Sequence, residues 1–236
     1  YSYYLFSKNI ESMAVFALLI FPIFFFDMTM NGLRYGLAFL LAKHASDEID
    51  SGKNISPLVL ICLSIGFQLS GLLVFVLLQT KRLRVVSLLF FIPILIFLFF
   101  IFEDRLLYKY SSYMVLDSPD GLSGLVPLLV FIACYLVFIV IDKEESKNLY
   151  FLLVLQIFSF FLARISYAGL RFQFLILFVM LCYISAVKFK FWKNRNLAII
   201  LFLLVGLIGF IGKLRNFSDG IGMSPTPFLP YYFFWE

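Results

Sequence analysis

The chain has 236 residues, of which 63% are hydrophobic, 20% are aromatic and only 14% are charged. A soluble domain carries about 25% charged residues, so the composition excludes an ordinary soluble globular protein and predicts several membrane-spanning helices. The net charge of +5 is explained by the orientation of membrane loops and does not indicate a nucleic-acid partner.

Apolar runs follow one another along the chain, and the first contains Pro22, which predicts a kink. The expected fold class is all-α, a single polytopic transmembrane domain over residues 1–236 with about 7–8 transmembrane helices. Tyr1 stands where methionine is expected, so we expect further residues upstream. Residues from Lys213 onward are expected to form a loop or an interfacial tail. The predicted helices lie, in chain order, at 12–26, 33–42, 55–78, 85–102, 125–141, 149–167, 170–187 and 197–212.

Lysine and arginine residues in the short loops predict the orientation of the chain. The loop at 79–84 carries three basic residues and the loop at 188–196 carries four, and neither carries an acidic residue. Both loops are therefore expected on the cytoplasmic side. The number of helices between them agrees with this, and it places 103–124 and the turn at 164–171 on the outer face.

The segment 55–78 has two interpretations. Its 24 residues are enough for one span, which needs about 20 residues. The alternative is a bend that is buried in protein, as in a re-entrant hairpin. The stretch 66–71 favours this bend because it contains two glycines, a glutamine and a serine. A single span starts the helix of Arg34 from the cytoplasmic side, whereas a hairpin starts it from the outer face.

Arginines near the ends of predicted helices are the main candidates for chemistry. An ionisable side chain at membrane depth costs about 2.5–3.5 kcal/mol on insertion scales and marks a candidate functional site. Arg34, Arg164 and Arg171 occupy such positions, and the planar guanidinium binds phosphate or carboxylate through two hydrogen bonds. The alternative is that these side chains only reach the lipid head groups, and Arg215, in the expected tail, favours this alternative.

Two further polar residues have both a chemical and a structural interpretation. Asp27 is the best candidate for a base or an orienting group, but it can equally cap the following helix. Gln68 can contact a ligand, form the bend or make a hydrogen bond between helices. The chain has a single histidine, and its three cysteines lie inside apolar runs. Neither residue type predicts a metal site.

The second helix opens with the pattern N-x-x-R-x-x-[LA]-A, and a polar loop and the run GFQLSGLLVF follow it. This arrangement resembles the EpsG/Wzy-type family of bacterial polysaccharide polymerases. The stretch that usually reads IRQGLA in that family is LRYGLA at 33–38, with tyrosine in place of glutamine. The later family motif commonly has histidine ahead of serine, where this chain has Gln68. The resemblance covers 12–78 and, more loosely, 161–172.

The resemblance implies a metal-independent glycosyltransferase without a cofactor in the bacterial inner membrane. Such an enzyme polymerises oligosaccharide repeat units carried on undecaprenyl diphosphate into O-antigen or exopolysaccharide at the periplasmic face. The implied partners are this lipid-linked oligosaccharide, membrane lipid and a chain-length regulator protein, with no nucleic acid. The alternative function is a flippase or transporter of the same oligosaccharides. The resemblance favours the hairpin at 55–78, and the expected site residues are Arg34 and Asp27 for catalysis and Arg164, Arg171, Arg215 and Gln68 for substrate binding.

Overall fold

The computed structural model describes residues 6, 10–25, 33–53, 55–80, 124–141, 146, 149–165, 167–186 and 195–221. All regular secondary structure in these ranges is helical, which confirms the all-α fold class. The predicted span at 85–102 and the candidate base Asp27 lie outside the described residues. The elements are α1 (Ile10–Val15), a π segment (Phe16–Ile20), α2 (Phe21–Phe25), α3 (Leu33–Asp50), α4 (Ile55–Phe67), α5 (Ser70–Gln79), α6 (Leu125–Ile141), α7 (Tyr150–Ala163), α8 (Tyr167–Ala186) and α9 (Arg195–Ile221).

The π segment shows how the first apolar run accommodates Pro22. Proline has no N–H to donate to the carbonyl four residues earlier, which here belongs to Leu18. The helix widens just before Pro22, and the N–H of Phe21 donates to the carbonyl of Phe16, five residues back. Gly206 of α9 packs against the Leu18 carbonyl so closely that a Cβ atom at position 206 would collide with this oxygen. Where the sequence predicts a kink at Pro22, the structure has a π turn that is covered by a glycine.

Helix α4 runs antiparallel to α3. Ser56 Oγ, near the start of α4, donates to Glu48 Oε2 near the end of α3 at 2.6 Å. Ser64 Oγ, near the end of α4, donates to the backbone carbonyl of Ala38 at 2.7 Å. Two hydrogen bonds thus join opposite ends of the two helices and fix their relative direction.

Helix α5 runs parallel to α3. Gly71, near its start, lies against Ala38, because a Cβ atom at position 71 would be 3.3 Å from both the Cβ and the carbonyl oxygen of Ala38. Gln79, at its end, donates from Nε2 to Ser46 Oγ at 2.9 Å. Since α4 and α5 run in opposite directions along the same helix, the chain reverses between them. The predicted hairpin is present, and a single straight span over 55–78 is wrong.

Polar contacts fasten the base of the hairpin to the end of α3. Glu48 accepts a hydrogen bond from Lys53 Nζ at 2.8 Å as well as the one from Ser56. These two hydrogen bonds, the one from Lys53 first, lower the pKa of Glu48 to about 2. The imidazole of His44 lies 3.6 Å from the same carboxylate. The carboxylate is therefore ionised at neutral pH and holds the start of α4 beside α3.

Helix α8 is the centre of the bundle. Every side chain from Leu175 to Ser185 is at most 6% exposed, so all sides of this helix are covered by α5, α6, α7 and the first helices of the chain. Within the described ranges, the segment Ala168–Ala186 is the one helix whose length and composition suffice to cross a membrane, and six shorter apolar helices accompany it. The buried sides of α8 explain why its apolar run shows no polar face.

The peripheral helices α4, α7 and α9 turn large apolar side chains outward. Water disfavours apolar surfaces of this extent on a monomeric protein, whereas lipid chains accommodate them without cost. The bundle thus has the distribution of polarity expected for helices in lipid. The outward side chains are Ile55, Leu58, Val59, Leu63 and Phe67 on α4, Tyr150, Phe151, Val154, Ile157, Phe158 and Phe161 on α7, and Leu197, Ile200, Leu203, Leu204, Leu207, Ile208, Ile211 and Leu214 on α9.

Helix α9 continues beyond its apolar part. The expectation that a loop or tail begins at Lys213 is wrong as far as Ile221, where the helix ends. Polar residues after an apolar run mark the point where a helix leaves an apolar environment, and they do not require the helix to stop there, because straight-chain residues such as lysine and arginine are good helix formers.

Candidate functional site

The starts of α3 and α8 meet at one end of the bundle, which we name the arginine end after Arg34, Arg164 and Arg171. The Tyr35 hydroxyl donates a hydrogen bond to the backbone carbonyl of Arg171 at 3.1 Å. The Tyr35 ring also packs on Phe39, with 4.1 Å between ring centroids. Arg34 precedes Tyr35 in the chain, so these contacts bring its helix end next to that of Arg171.

A tight turn between α7 and α8 brings Arg164 to the same end. Gly169 lies directly on the backbone of Ala163, where a Cβ atom would collide. Arg164 caps the end of α7, and its guanidinium carbon lies 4.9 Å from the centroid of the Phe160 ring. Arg164 and Arg171 are both exposed. The prediction that these two arginines flank one tight turn is confirmed.

The tip of the hairpin also lies at the arginine end. Gly71 contacts Ala38, which is only one helical turn after Arg34. The backbone N–H of Gln68 donates to the Ser64 carbonyl at 2.9 Å, and its own carbonyl accepts from the N–H of Gly71 at 3.0 Å. Gln68 therefore forms the bend through its backbone, while its side chain is half-buried. A ligand contact by this side chain stays a prediction.

The start of α6 and the end of α9 complete this end of the bundle. Gly124, with φ +84°, precedes α6 and lies beside α8, since a Cβ atom there would be 2.5 Å from Gln173 Oε1. Gly212 of α9 packs on Val126, because a Cβ atom at position 212 would be only 2.9 Å from Val126 Cγ1. The backbone of Arg215, three residues further along α9, is therefore near the arginine end, and its side chain lies outside the described atoms.

The ends of α5 and α8 meet at the opposite end of the bundle. The hydroxyl groups of Thr80 and Tyr183 lie 3.2 Å apart, and Tyr183 also donates to the carbonyl of Leu78 at 2.9 Å. The two basic segments of the sequence, 81–84 and 188–195, follow directly after these helix ends. The hairpin thus places Arg34 at the end of the bundle opposite to the two helix ends that the basic segments follow in the sequence.

Two glutamines in apolar helices are functional candidates that sequence reasoning missed. Gln156 of α7 and Gln173 of α8 are fully buried, and neither side-chain amide has a hydrogen-bond partner among the residues that the structure describes. The signal that singled out Gln68, an amide inside an apolar run, is present at both positions. Tyr35 is visible in the sequence only as a departure from the IRQGLA motif, which does not indicate that its side chain joins α3 to Arg171.

In the described part of the chain, no group of three or more histidine, cysteine, aspartate or glutamate residues is placed to hold a metal ion. The chemistry available at the arginine end is instead the binding of anions by exposed guanidinium groups.

The model of the EpsG family matches residues 1–233 of this chain. No curated protein sequence and no solved structure matches it significantly.

Proposed function

The chain belongs to the EpsG family, and we propose that it is a membrane glycosyltransferase that polymerises oligosaccharide repeat units carried on undecaprenyl diphosphate into O-antigen or exopolysaccharide. Membership of the family makes it a membrane protein of the polysaccharide polymerase type. The observation that supports the specific reaction is the meeting of Arg34, Arg164 and Arg171 at one end of the bundle, through the Tyr35 hydrogen bond and the turn at Gly169.

The reaction explains why guanidinium groups are needed. A hydroxyl group of the acceptor sugar attacks the anomeric carbon of the donor sugar, and the bond from this carbon to the diphosphate oxygen breaks. The diphosphate leaves with the bonding electron pair, so negative charge grows on its oxygens in the transition state. Preorganised positive groups stabilise this charge, and the loss of one hydrogen-bond donor of this kind typically costs about 100- to 1,000-fold in rate.

The proton of the attacking hydroxyl needs an acceptor or an orienting group. We assign this role to Asp27, which precedes α3 in the sequence, and assign the neutralisation of the leaving group to Arg34. Neither role requires a metal ion or a cofactor. Arg164, Arg171 and Arg215 then bind the diphosphate of the substrate, and Gln68 contacts the ligand from the tip of the hairpin.

We place the bundle in the bacterial inner membrane as a multi-pass protein with a re-entrant hairpin at 55–78. The outward apolar faces of α4, α7 and α9 support contact with lipid. The basic segments 81–84 and 188–195 support a cytoplasmic position for the end opposite to the arginines. The arginine end then faces the periplasm, where lipid-linked repeat units and a chain-length regulator protein are accessible.

The proposal is tested by expressing the full-length protein in a strain that lacks its polymerase and separating the surface polysaccharide on a gel. We expect a ladder of chain lengths with the wild-type protein. Arg34→Ala, Arg164→Ala and Arg171→Ala should each lower polymerisation about 100- to 1,000-fold at equal protein level. Lys53→Ala, which removes an exposed basic side chain at the opposite end, is the matched control and should keep the ladder.

Two results decide against the proposal. Single repeat units without a ladder in cells that contain the wild-type protein favour the alternative function, a flippase or transporter. A ladder that persists in all three arginine variants excludes the arginine end as the site, because removal of these side chains would then leave the transition state equally well stabilised.

A further inference from the structure

A strip of buried polar side chains runs between α6, α7 and α8, and we name it the polar seam (Gln156, Ser159 and Gln173). All three residues are fully buried. Ser159 is satisfied, because its Oγ donates to the carbonyl of Leu155 at 2.6 Å. Within the described ranges, the amide nitrogen and oxygen of both glutamines have no partner. The seam thus contains four unused hydrogen-bonding atoms.

The turn between α7 and α8 sets the positions of these residues relative to one another. Ala163 and Gly169 are in contact across the turn, so in the antiparallel pair Ser159 lies level with Gln173. Gln156 is three residues deeper along α7, which corresponds to about 4.5 Å along the helix axis. It is on the same stripe of α7 as Ser159, and this stripe is buried against α8 and α6.

The polar seam begins directly beneath the arginine end. Gln173 follows Arg171 by two residues, or about 3 Å along α8. Gly124 lies against its amide and leaves room for it only because glycine has no side chain, since a Cβ atom there would be 2.5 Å from Gln173 Oε1. Along the axis of α8, the first unused amide therefore lies less than one helical turn from Arg171, on the buried side of the helix.

The chemistry of an amide specifies its ligand. Folded proteins pair nearly all buried polar groups, because an unpaired one lowers stability. A glutamine side chain offers both donors and an acceptor. A diphosphate accepts hydrogen bonds but cannot donate to Oε1, and a lipid chain does neither. A sugar hydroxyl does both, and one sugar ring carries several hydroxyl groups, so it can form hydrogen bonds with more than one amide.

We propose that the polar seam binds the hydroxyl groups of the sugar that is bonded directly to the diphosphate of the lipid-linked donor. This inference rests on the proposed function, which places that diphosphate on the arginines. The seam then holds the reacting sugar and orients its anomeric carbon, while the arginines hold the leaving group. Gln156 and Gln173 are accordingly substrate-binding residues that bring no charge to the reaction.

The test uses leucine substitutions and two probes. Gln156→Leu and Gln173→Leu remove the unpaired amides and keep a side chain of similar size. Gln79→Leu is the matched control, because Gln79 is also a buried glutamine but has a partner in Ser46 at 2.9 Å. The probes are lipid-linked repeat units extracted from a polymerase-deficient strain of the source bacterium, and inorganic pyrophosphate. Thermal unfolding in detergent measures both stability and the gain in Tm that each probe produces.

The two kinds of glutamine should respond in opposite ways. Without a probe, we expect Gln156→Leu and Gln173→Leu to raise Tm by about 2–4 °C, because each removes an unpaired buried amide. Each should bind the repeat units about tenfold more weakly, as expected for the loss of about one hydrogen bond, and should bind pyrophosphate as the wild-type protein does. Gln79→Leu should lower Tm and leave both affinities unchanged.

An unchanged affinity of both seam variants for the repeat units would overturn the inference, whichever way Tm moves. A lower Tm with unchanged affinity would in addition identify the glutamines as structural groups that bind ordered water. If Gln173→Leu does not fold, Gln173→Met, which keeps the length of the side chain, decides in its place. A wild-type protein that gains no stability from the repeat units contradicts the proposed function itself, and the seam assignment with it.

Discussion

The hairpin at 55–79 depends on a close contact between Gly71 and Ser64, and the substitution Gly71→Ala tests it. A Cβ atom at position 71 would collide with Ser64 Oγ and would be 3.3 Å from both the Cβ and the carbonyl oxygen of Ala38. Ser64 Oγ cannot stay in place, so its 2.7 Å hydrogen bond to the Ala38 carbonyl is lost. Gly66, in the same hairpin, has no atom within 4 Å of the corresponding position.

The cost follows from three contributions. Loss of the hydrogen bond from Ser64 costs about 1 kcal/mol, and overpacking in a close contact costs about 1–3 kcal/mol. Alanine recovers up to about 1 kcal/mol over glycine in a helix. We therefore expect Gly71→Ala to lower the free energy of unfolding by about 1–3 kcal/mol. Gly66→Ala, the matched control, should leave it unchanged or raise it slightly.

A double-mutant cycle isolates the contact. Ser64→Ala removes the oxygen that blocks position 71, and the remaining Ser64 atoms are at least 3.3 Å from a Cβ there, since the three nearest atoms are those named above. Gly71→Ala should therefore cost almost nothing in the Ser64→Ala background, which gives a coupling energy of about 2 kcal/mol.

Thermal unfolding in detergent can be followed by the reaction of a thiol dye with Cys134 and Cys182, which are both buried. The exposed Cys62 is replaced by serine in every variant. We expect Gly71→Ala alone to lower Tm by about 2–12 °C, at about 2–4 °C per kcal/mol for a protein of this size. An equal cost of Gly71→Ala with and without Ser64 would refute the packing that makes α4 and α5 a hairpin.

The remaining predictions concern two other contacts. Gly206→Ala places a Cβ atom on the Leu18 carbonyl, and because this is a backbone atom that cannot rotate away, we expect a loss of about 3 kcal/mol or more, larger than for Gly71→Ala in the same unfolding assay. A smaller loss would show that α9 and the π segment separate easily. Tyr35→Phe removes the hydroxyl that donates to the Arg171 carbonyl, a bond of about 0.5–1.5 kcal/mol, and should slow polymerisation about two- to tenfold. Tyr150→Phe, on the exposed face of α7, should have no effect, and an equal effect of both would contradict a positioning role for Tyr35.

Properties that depend on local sequence were predictable. The apolar runs gave the helices, because a helix in an apolar environment satisfies its own backbone, and the turn at Gly169 was evident from two arginines seven residues apart between two apolar runs. The end of α9 was not predictable from hydropathy, because the boundary of an apolar run and the end of a helix have different physical causes.

The direction of α5 could not be derived from local sequence. A run of 24 residues fits one span or two short helices, and both interpretations bury similar apolar area. The choice is made by hydrogen bonds to α3, from Ser64 to Ala38 and from Gln79 to Ser46, whose partners are more than 25 residues away in the chain. The direction of α5 decides on which end of the bundle Arg34 lies relative to the basic segments, so the position of the candidate site depends on these long-range contacts.

The glutamines show why candidate residues in apolar runs are difficult to rank from sequence. Gln68 lies in one apolar run, Gln79 directly follows the same run, and Gln156 and Gln173 lie in two others. The structure uses the first as a bend, pairs the second with Ser46 and leaves the last two without a partner in the described part of the chain. An amide in a helix finds its partner on a neighbouring helix, and the identity of that neighbour is a property of the packing. A buried amide becomes a functional candidate only when the packing supplies no partner. The polar seam can therefore be recognised only from the structure, whereas Gln68 is a candidate from the sequence alone.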